Sequence, residues 1–309
     1  MNTPLVSAVI PCFNQAHFLS EAIDSLLAQS YSNIEIIVVD DGSTDNTADV
    51  VSCYANVQLL RQRNSGLAAA RNSGIRASQG DYLIFLDADD LLLPNAVEKG
   101  FVCLQKHPDS AFASGRYRLL TPDGSAREPH IDTPMDKDPY TALLRGNHIA
   151  MHATVMYRRQ VLEVTGGYNA SLPVCEDYDL YLRIARQYQI ARHKHVIAEY
   201  RKHGTNISYN SPLMLETVLS ILYSQRQHIE ANSCYSSAFR AGICFWKEFY
   251  GLRAIRRIAG MMVSGQRRQA REDTLSLIAS VGVMQLLLCS PVWLIKYLLR
   301  ENGVRVERG

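Results

Sequence analysis

The chain is 309 residues long, more than one small domain requires and fewer than two large ones. Apolar residues make up 47% and charged residues 20%, which excludes disorder and leaves material for a sizeable core. The 32 basic and 30 acidic residues, a net of +2, exclude the charge balance of a nucleic-acid-binding protein.

Residues 5–10 form a β-rich run ending at Pro11, and Leu19, Ala22, Ile23, Leu26 and Leu27 then recur at helical spacing. Residues 34–39 are an apolar run too short for a helix. Asp41-Gly-Ser-Thr-Asp45 predicts a turn into a helix, with Ser43 or Thr44 as its cap. A third strand is expected over 57–60, an alanine-rich helix over 67–77, and a fourth strand over 82–86 running directly into Asp87. Strands apolar on both faces, alternating with helices, argue for a parallel sheet covered by helices. Ligands of such sheets bind at the carboxyl ends of the strands. Asp40–Asp41, Asn64–Gly66 and Asp87–Asp90 all follow strand ends and should share one rim. Further on, 111–120 reads as a strand, Thr121-Pro-Asp-Gly124 as a turn and 150–157 as another strand. Gly166-Gly167 marks a loop, a helix should open near Glu176, and from Pro212 the pattern is almost wholly helical. Two domains are expected, 1–210 and a helical extension over 211–309.

The seven cysteines are odd in number, lack C-x-x-C spacing and do not cluster with histidines, so they read as small buried hydrophobes in a reducing compartment. Met1 to Pro11 shows no basic segment followed by a long apolar one, which predicts a cytoplasmic protein. The charge is unevenly shared. From Arg240 onward there are 12 basic and 5 acidic residues, leaving 20 basic and 25 acidic before it.

Three carboxylate groups carry the candidate chemistry. Asp87 and Asp89, two residues apart past a buried strand, read either as a helix N-cap cluster or as a Mg²⁺ or Mn²⁺ site. A metal there would stabilise a departing diphosphate. Asp41, on the same rim, could accept a hydrogen bond from the imide N–H of a uracil ring. Asn64-Ser-Gly66 would allow close backbone approach, and Arg71 is either a cation beside nucleotide or phosphate or an ordinary surface helix cation. Asp177 shares i, i+3, i+4, i+7 spacing with Leu180, Tyr181 and Ile184, placing it on an inward stripe as a candidate general base or a capping acid. Asp179 and Arg183, an i, i+4 pair, read as surface support.

Seven segments in collinear order over residues 5 to about 210 resemble glycosyltransferase family 2, the inverting enzymes of the GT-A fold. They are Val9-Ile-Pro-Cys-Phe-Asn14, Val38-Val-Asp-Asp-Gly-Ser-Thr-Asp45, Asn64-Ser-Gly66 with Ala69-Ala-Arg-Asn72, and Phe85-Leu-Asp-Ala-Asp-Asp90. Gly166-Gly-Tyr168, Glu176-Asp-Tyr-Asp179 and Tyr200-Arg-Lys-His-Gly-Thr-Asn-Ile-Ser208 complete the set. The resemblance implies an α/β GT-A (Rossmann-like) fold, a mostly parallel sheet flanked by helices, with an α-helical C-terminal extension. It implies that Pro11, Phe13, Asn14, Asp41, Asn64, Gly66, Arg71 and Asp87 bind the donor nucleotide, Asp41 at the base and Asp87 on the ribose side. Asp89 and His203 would hold a divalent cation, Mn²⁺ or Mg²⁺, and Asp177 would be the base. Glu176, Gly166 and Gly167 would support the acceptor side. The expected partners are a nucleotide-sugar donor, by the resemblance a uridine one with thymidine and guanosine left open, and a glycan or lipid-linked acceptor; nucleic acid is not expected.

Residues 275–295 form an uncharged run of 21 between basic flanks, long enough to span a bilayer but broken by polar residues and Pro291. With the aromatic and basic segment 239–262, this points to a helix lying on a membrane surface, peripheral at the inner face of the cell membrane, or to packing within a helical hairpin or a homo-oligomer. Two other functional classes compete. A nucleotidyltransferase would want a glycine-rich basic loop after the first strand, where Pro11-Cys-Phe-Asn14 stands. A non-catalytic membrane-associated sugar-binding protein would be favoured by loss of Asp89 or Asp177, and both are present.

Overall fold

The computed structural model describes residues 3–121, 125–128, 138–204, 206–230 and 232–281. In chain order the elements begin β1 (Val6–Cys12), α1 (Ala16–Leu27), β2 (Ile34–Asp40), α2 (Thr47–Ser52), β3 (Val57–Arg61) and α3 (Leu67–Ala77). There follow β4 (Tyr82–Phe85), β5 (Leu91–Leu92), α4 (Ala96–Lys106), β6 (Ser110–Leu120), β7 (Ala126–Arg127) and α5 (Pro139–Arg145). A 3₁₀ turn (His152–Thr154) leads into β8 (Val155–Arg158), α6 (Arg159–Thr165), α7 (Glu176–Ala185) and β9 (Gln189–Arg201). The remainder is helical: α8 (Ser211–Ser224), α9 (Arg226–Ile229), α10 (Ser233–Val263) and α11 (Arg267–Val281).

Among the described residues one sheet runs β3-β2-β1-β4-β8-β6-β9-β5, with β7 paired to β6. Its first four strands are parallel, in the register Cys12↔Asp40, Asp40↔Arg61 and Val9↔Phe85, so their carboxyl ends share one rim. Beyond β4 the sheet is mixed. β8 is antiparallel to β4 and β6, while β9 runs parallel to β6 and antiparallel to β5. β1 is buried along its whole length, as the central strand of a sheet covered on both faces must be. The amphipathic helix α1 closes one face with Leu19, Ala22, Ile23 and Leu26.

The chain forms two compact units, Met1–Leu143 with Asn147–Asn206, and Leu144–Gly146 with the described residues from Ile207 onward. In the second, α8, α10 and α11 pack on one another. No described helix is long and apolar enough to cross a membrane. Of the run 275–295, residues 282–295 lie outside the described residues.

Two local expectations are corrected. The segment 150–157 is a strand only from Val155, because Ala150 takes φ 53° and the 3₁₀ turn follows. The helix after Asp41-Gly-Ser-Thr-Asp45 is not capped by Ser43 or Thr44. It starts at Thr47, whose N–H and hydroxyl donate to the Asp45 carboxylate, and the other Asp45 oxygen accepts from the Ala16 N–H.

Candidate active site

The rim is assembled from loops that bond to one another. Asn14, at φ 53°, donates its N–H to Ser43 Oγ and accepts from the Thr44 N–H, fastening the β1 loop to the β2 loop. Gly42 sits at φ +81°, and a Cβ there would lie 2.8 Å from the Asn64 nitrogen. That approach lets Asp41 accept from Gln62 Nε2 at 2.7 Å, from the Ser65 N–H at 2.9 Å and from the Gly66 N–H at 2.9 Å. A carboxylate offers about four lone-pair directions, so one acceptor direction of the buried Asp41 remains. Asn64, Gly66 and Phe13 are exposed at this mouth. Pro11 is buried inside β1, at the strand end that leads into this mouth.

Arg71 is 1% exposed, so the surface-cation reading falls. One guanidinium nitrogen donates to Glu176 and the other to Asp87 Oδ1 at 2.5 Å, while its charge lies 5.6 Å from the Tyr168 ring centroid. Burial works against the charged form, but the two carboxylates outweigh it and hold Arg71 protonated. The cation therefore faces protein carboxylates, tying the strand-end Asp87 to the first turn of α7. The next residue, Asn72, clasps the Gly166-Gly167-Tyr168 loop. Its Nδ2 donates to the Tyr168 carbonyl and its Oδ1 accepts from the Tyr168 N–H, each at 2.8 Å. Gly167 stands at φ +69° with its missing Cβ 2.5 Å from Asn72 Oδ1, so this loop closes only on glycine. Gly166, at φ +75°, ends α6 with open space around it.

Asp87–Asp90 is a turn between β4 and β5, closed by Asp90 N–H to the Asp87 carbonyl. It is not a helix cap, since α4 opens only at Ala96. Asp89 Oδ2 faces His203 Nε2 at 2.7 Å and accepts from Gln15 Nε2 at 3.3 Å. Burial and then Asp87 raise the Asp89 carboxyl, with His203 opposing. A carboxylate oxygen and an imidazole nitrogen facing each other fit a Mn²⁺ or Mg²⁺ site, which needs few protein ligands when phosphates and water complete the shell. Among the described residues no cluster of three or more His, Cys, Asp or Glu side chains forms. Asp90 is buried and driven well above the usual carboxylate range, by burial first and then by Asp89 and Asp87. It accepts the Arg201 N–H, and Arg201 Nε donates to the Asp89 carbonyl, so β9 delivers His203 to the aspartate turn.

Asp177 lies in the first turn of α7, partly exposed, with Oδ1 accepting the Tyr178 N–H at 2.7 Å. Its carboxyl is pushed up to about 7, mainly by burial and next by the neighbouring Glu176, while Arg71 and the Tyr178 N–H pull it down. The rest of α7 is more deeply buried than its spacing suggests. Asp179 is 7% exposed and bonds Arg183, which also donates to the Thr165 and Gly167 carbonyls. That pair is an internal tie between α7 and the glycine loop, not surface support. Behind it, neutral His152 bonds Tyr181 at 2.8 Å and Tyr168 at 2.6 Å, its pKa held well below the usual range by burial and then Arg71.

Sequence reading gave no role to Gln15, Gln62, Asn72, His152, Tyr168 or Arg201. Asn72, Tyr168 and Arg201 stand inside motifs that were recognised; Gln15 merely follows Asn14, and nothing local marks Gln62 or His152.

Residues 7–166 match the family described as Glycosyl transferase family 2. An uncharacterized glycosyltransferase of Rickettsia felis is 34% identical over 210 residues, 65% of this chain and 35% of the relative. The chain thus spans about a third of that relative's length. Among solved structures, S. aureus TarS 1-349 in complex with UDP-GlcNAc superposes with a TM-score of 0.62 at 15% identity, covering 90% of this chain and 80% of the other. The mannosyltransferase PcManGT from Pyrobaculum calidifontis, in complex with GDP-Man and Mn²⁺, gives 0.61 at 19% identity, covering 96% and 88%. At these identities the two structures establish a shared GT-A fold.

Proposed function

The chain belongs to glycosyltransferase family 2 and is an enzyme of that class, and from that premise we propose inverting transfer of a sugar from a nucleotide donor, best a uridine diphosphate sugar, to a hydroxyl of a glycan or lipid-linked acceptor. The acceptor places the reaction in cell-surface polysaccharide or glycoconjugate synthesis. The observation that supports the chemistry is the Asp177 carboxyl, held near neutrality beside the Glu176–Arg71–Asp87 chain. A base of that pKa is matched to work near pH 7.

In this reading Asp177 takes the proton of the acceptor hydroxyl as its oxygen attacks the anomeric carbon. The bond from that carbon to the diphosphate breaks on the opposite side, and its electron pair leaves with the nucleotide. Asp41 keeps one acceptor direction for a base N–H, and the exposed Asn64–Gly66 turn lines the same mouth. Asp87, fixed by Arg71, is the carboxylate assigned to the ribose side. Asp89 and His203 are the residues that would hold a divalent cation, which supplies charge stabilisation to the departing diphosphate. The basic C-terminal helices attach the enzyme peripherally to the inner face of the cell membrane.

Asp177→Asn is expected to lower transfer by about a hundred- to ten-thousandfold while calorimetry shows unchanged donor-nucleotide binding. Turnover close to wild type would remove Asp177 from the role.

A further inference from the structure

The hairpin of α10 and α11 ends in a tip unlike the rest of its unit. From Arg253 to Arg271 the chain carries six arginines and no acidic residue. The turn between the helices is closed by the Gly265 N–H to the Met262 carbonyl and the Gln266 N–H to the Met261 carbonyl. At that turn Met262 is 55% exposed and Val263 92% exposed, whereas Trp246 and Tyr250, earlier on α10, are buried. Arg267, Arg268 and Arg271 are exposed beside them. The nearest acids are already engaged: Asp273 accepts from Arg257 at 2.9 Å, and Glu272 faces Arg268 at 3.1 Å.

An exposed apolar pair at the turn between two helices, followed at once by exposed arginines, suits one environment. At a membrane interface apolar side chains enter the boundary of the acyl chains, and cations above them meet lipid phosphates. Arginine stems lie along the apolar layer while their heads stay hydrated. A free phosphate or a nucleic acid would use the arginines and leave Met262 and Val263 in water.

We propose that this tip is the membrane-docking element, with Met262 and Val263 entering an anionic bilayer and Arg267, Arg268 and Arg271 at its headgroups. The proposal rests on the peripheral reading above and narrows it to one loop.

Co-sedimentation of the full chain with vesicles tests it, using phosphatidylglycerol mixed with phosphatidylcholine in one series and phosphatidylcholine alone in the other. The wild type is expected to sediment with the anionic vesicles, more weakly at high salt, and poorly with the neutral ones. Met262→Asp with Val263→Asp should weaken binding at least about tenfold, because two charges must enter the interface. Arg267→Gln, Arg268→Gln and Arg271→Gln should each weaken it about fivefold. All five positions are exposed, so melting temperatures should match the wild type and isolate binding from folding. Anionic vesicles that fail to bring down the wild type overturn both the tip and the peripheral reading. Wild-type sedimentation that persists unchanged in the Met262→Asp, Val263→Asp chain overturns the tip alone, leaving attachment by another segment.

Discussion

The α3–α7 junction and the α10–α11 tip use the same charged group in opposite ways. Arg71 is enclosed by Asp87, Glu176 and the Tyr168 ring, and Arg268 stands 94% exposed in its pair with Glu272. In the first, a guanidinium removed from water must be matched by carboxylates, and the match orients the groups that flank the candidate base. In the second, the charge keeps its hydration and remains available to an external anionic surface. Burial thus commits Arg71 to its protein carboxylates, whereas exposure leaves Arg268 in contact with water.

The sharpest way to break the comparison is to remove both charges. Arg71→Met leaves Glu176 and Asp87 without their cation and should cost about 3–5 kcal/mol of stability, read by urea denaturation. Arg268→Gln should leave the same curve unmoved. If both variants unfold at the wild-type midpoint, burial does not separate the two regions.

Next in size is the pH dependence. The folded Asp177 carboxyl titrates near 7 against an ordinary 3.8, so transfer should rise with pH through about 7 as the base loses its proton. The linked stability has the opposite sign. The native state keeps a proton that the unfolded chain has released, so this group's contribution falls as pH rises from about 4 to 7. Asp177→Asn should therefore melt higher than wild type at pH 8 and no higher at pH 4, by calorimetry at the two values.

Smallest is the glycine loop. Gly167→Ala forces a side chain onto φ +69° and into Asn72 Oδ1, and should cost about 1–3 kcal/mol in a thermal melt. Gly166→Ala strains the backbone alone and should cost less, since nothing lies within reach of its Cβ.

Much of the parallel half was legible in advance. The runs at 34–39 and 82–86 are apolar on both faces and too short for helices, and each ends in aspartates that the parallel register brings to one rim. Arg71 was not legible. In an alanine-rich helix its spacing fits a surface cation, and the partner that buries it, Glu176, lies 105 residues further on. Asp179 and Arg183 misled for a related reason: i, i+4 spacing records that two residues share a helix face and says nothing about what covers that face. The mixed sheet beyond β4 was equally hidden, because strand direction depends on how β8 returns from α5 and the 3₁₀ turn.

Chain order alone sets which chemical groups are present and where they follow one another: the aspartates at strand ends, the glycines where backbones must touch, and the basic helical end of the chain. Which of those charges pair, which are shielded and which face water follows from the packing of the folded chain. The energy of a charge depends on its distance to other charges and on the surrounding dielectric, and both are set by segments remote in sequence.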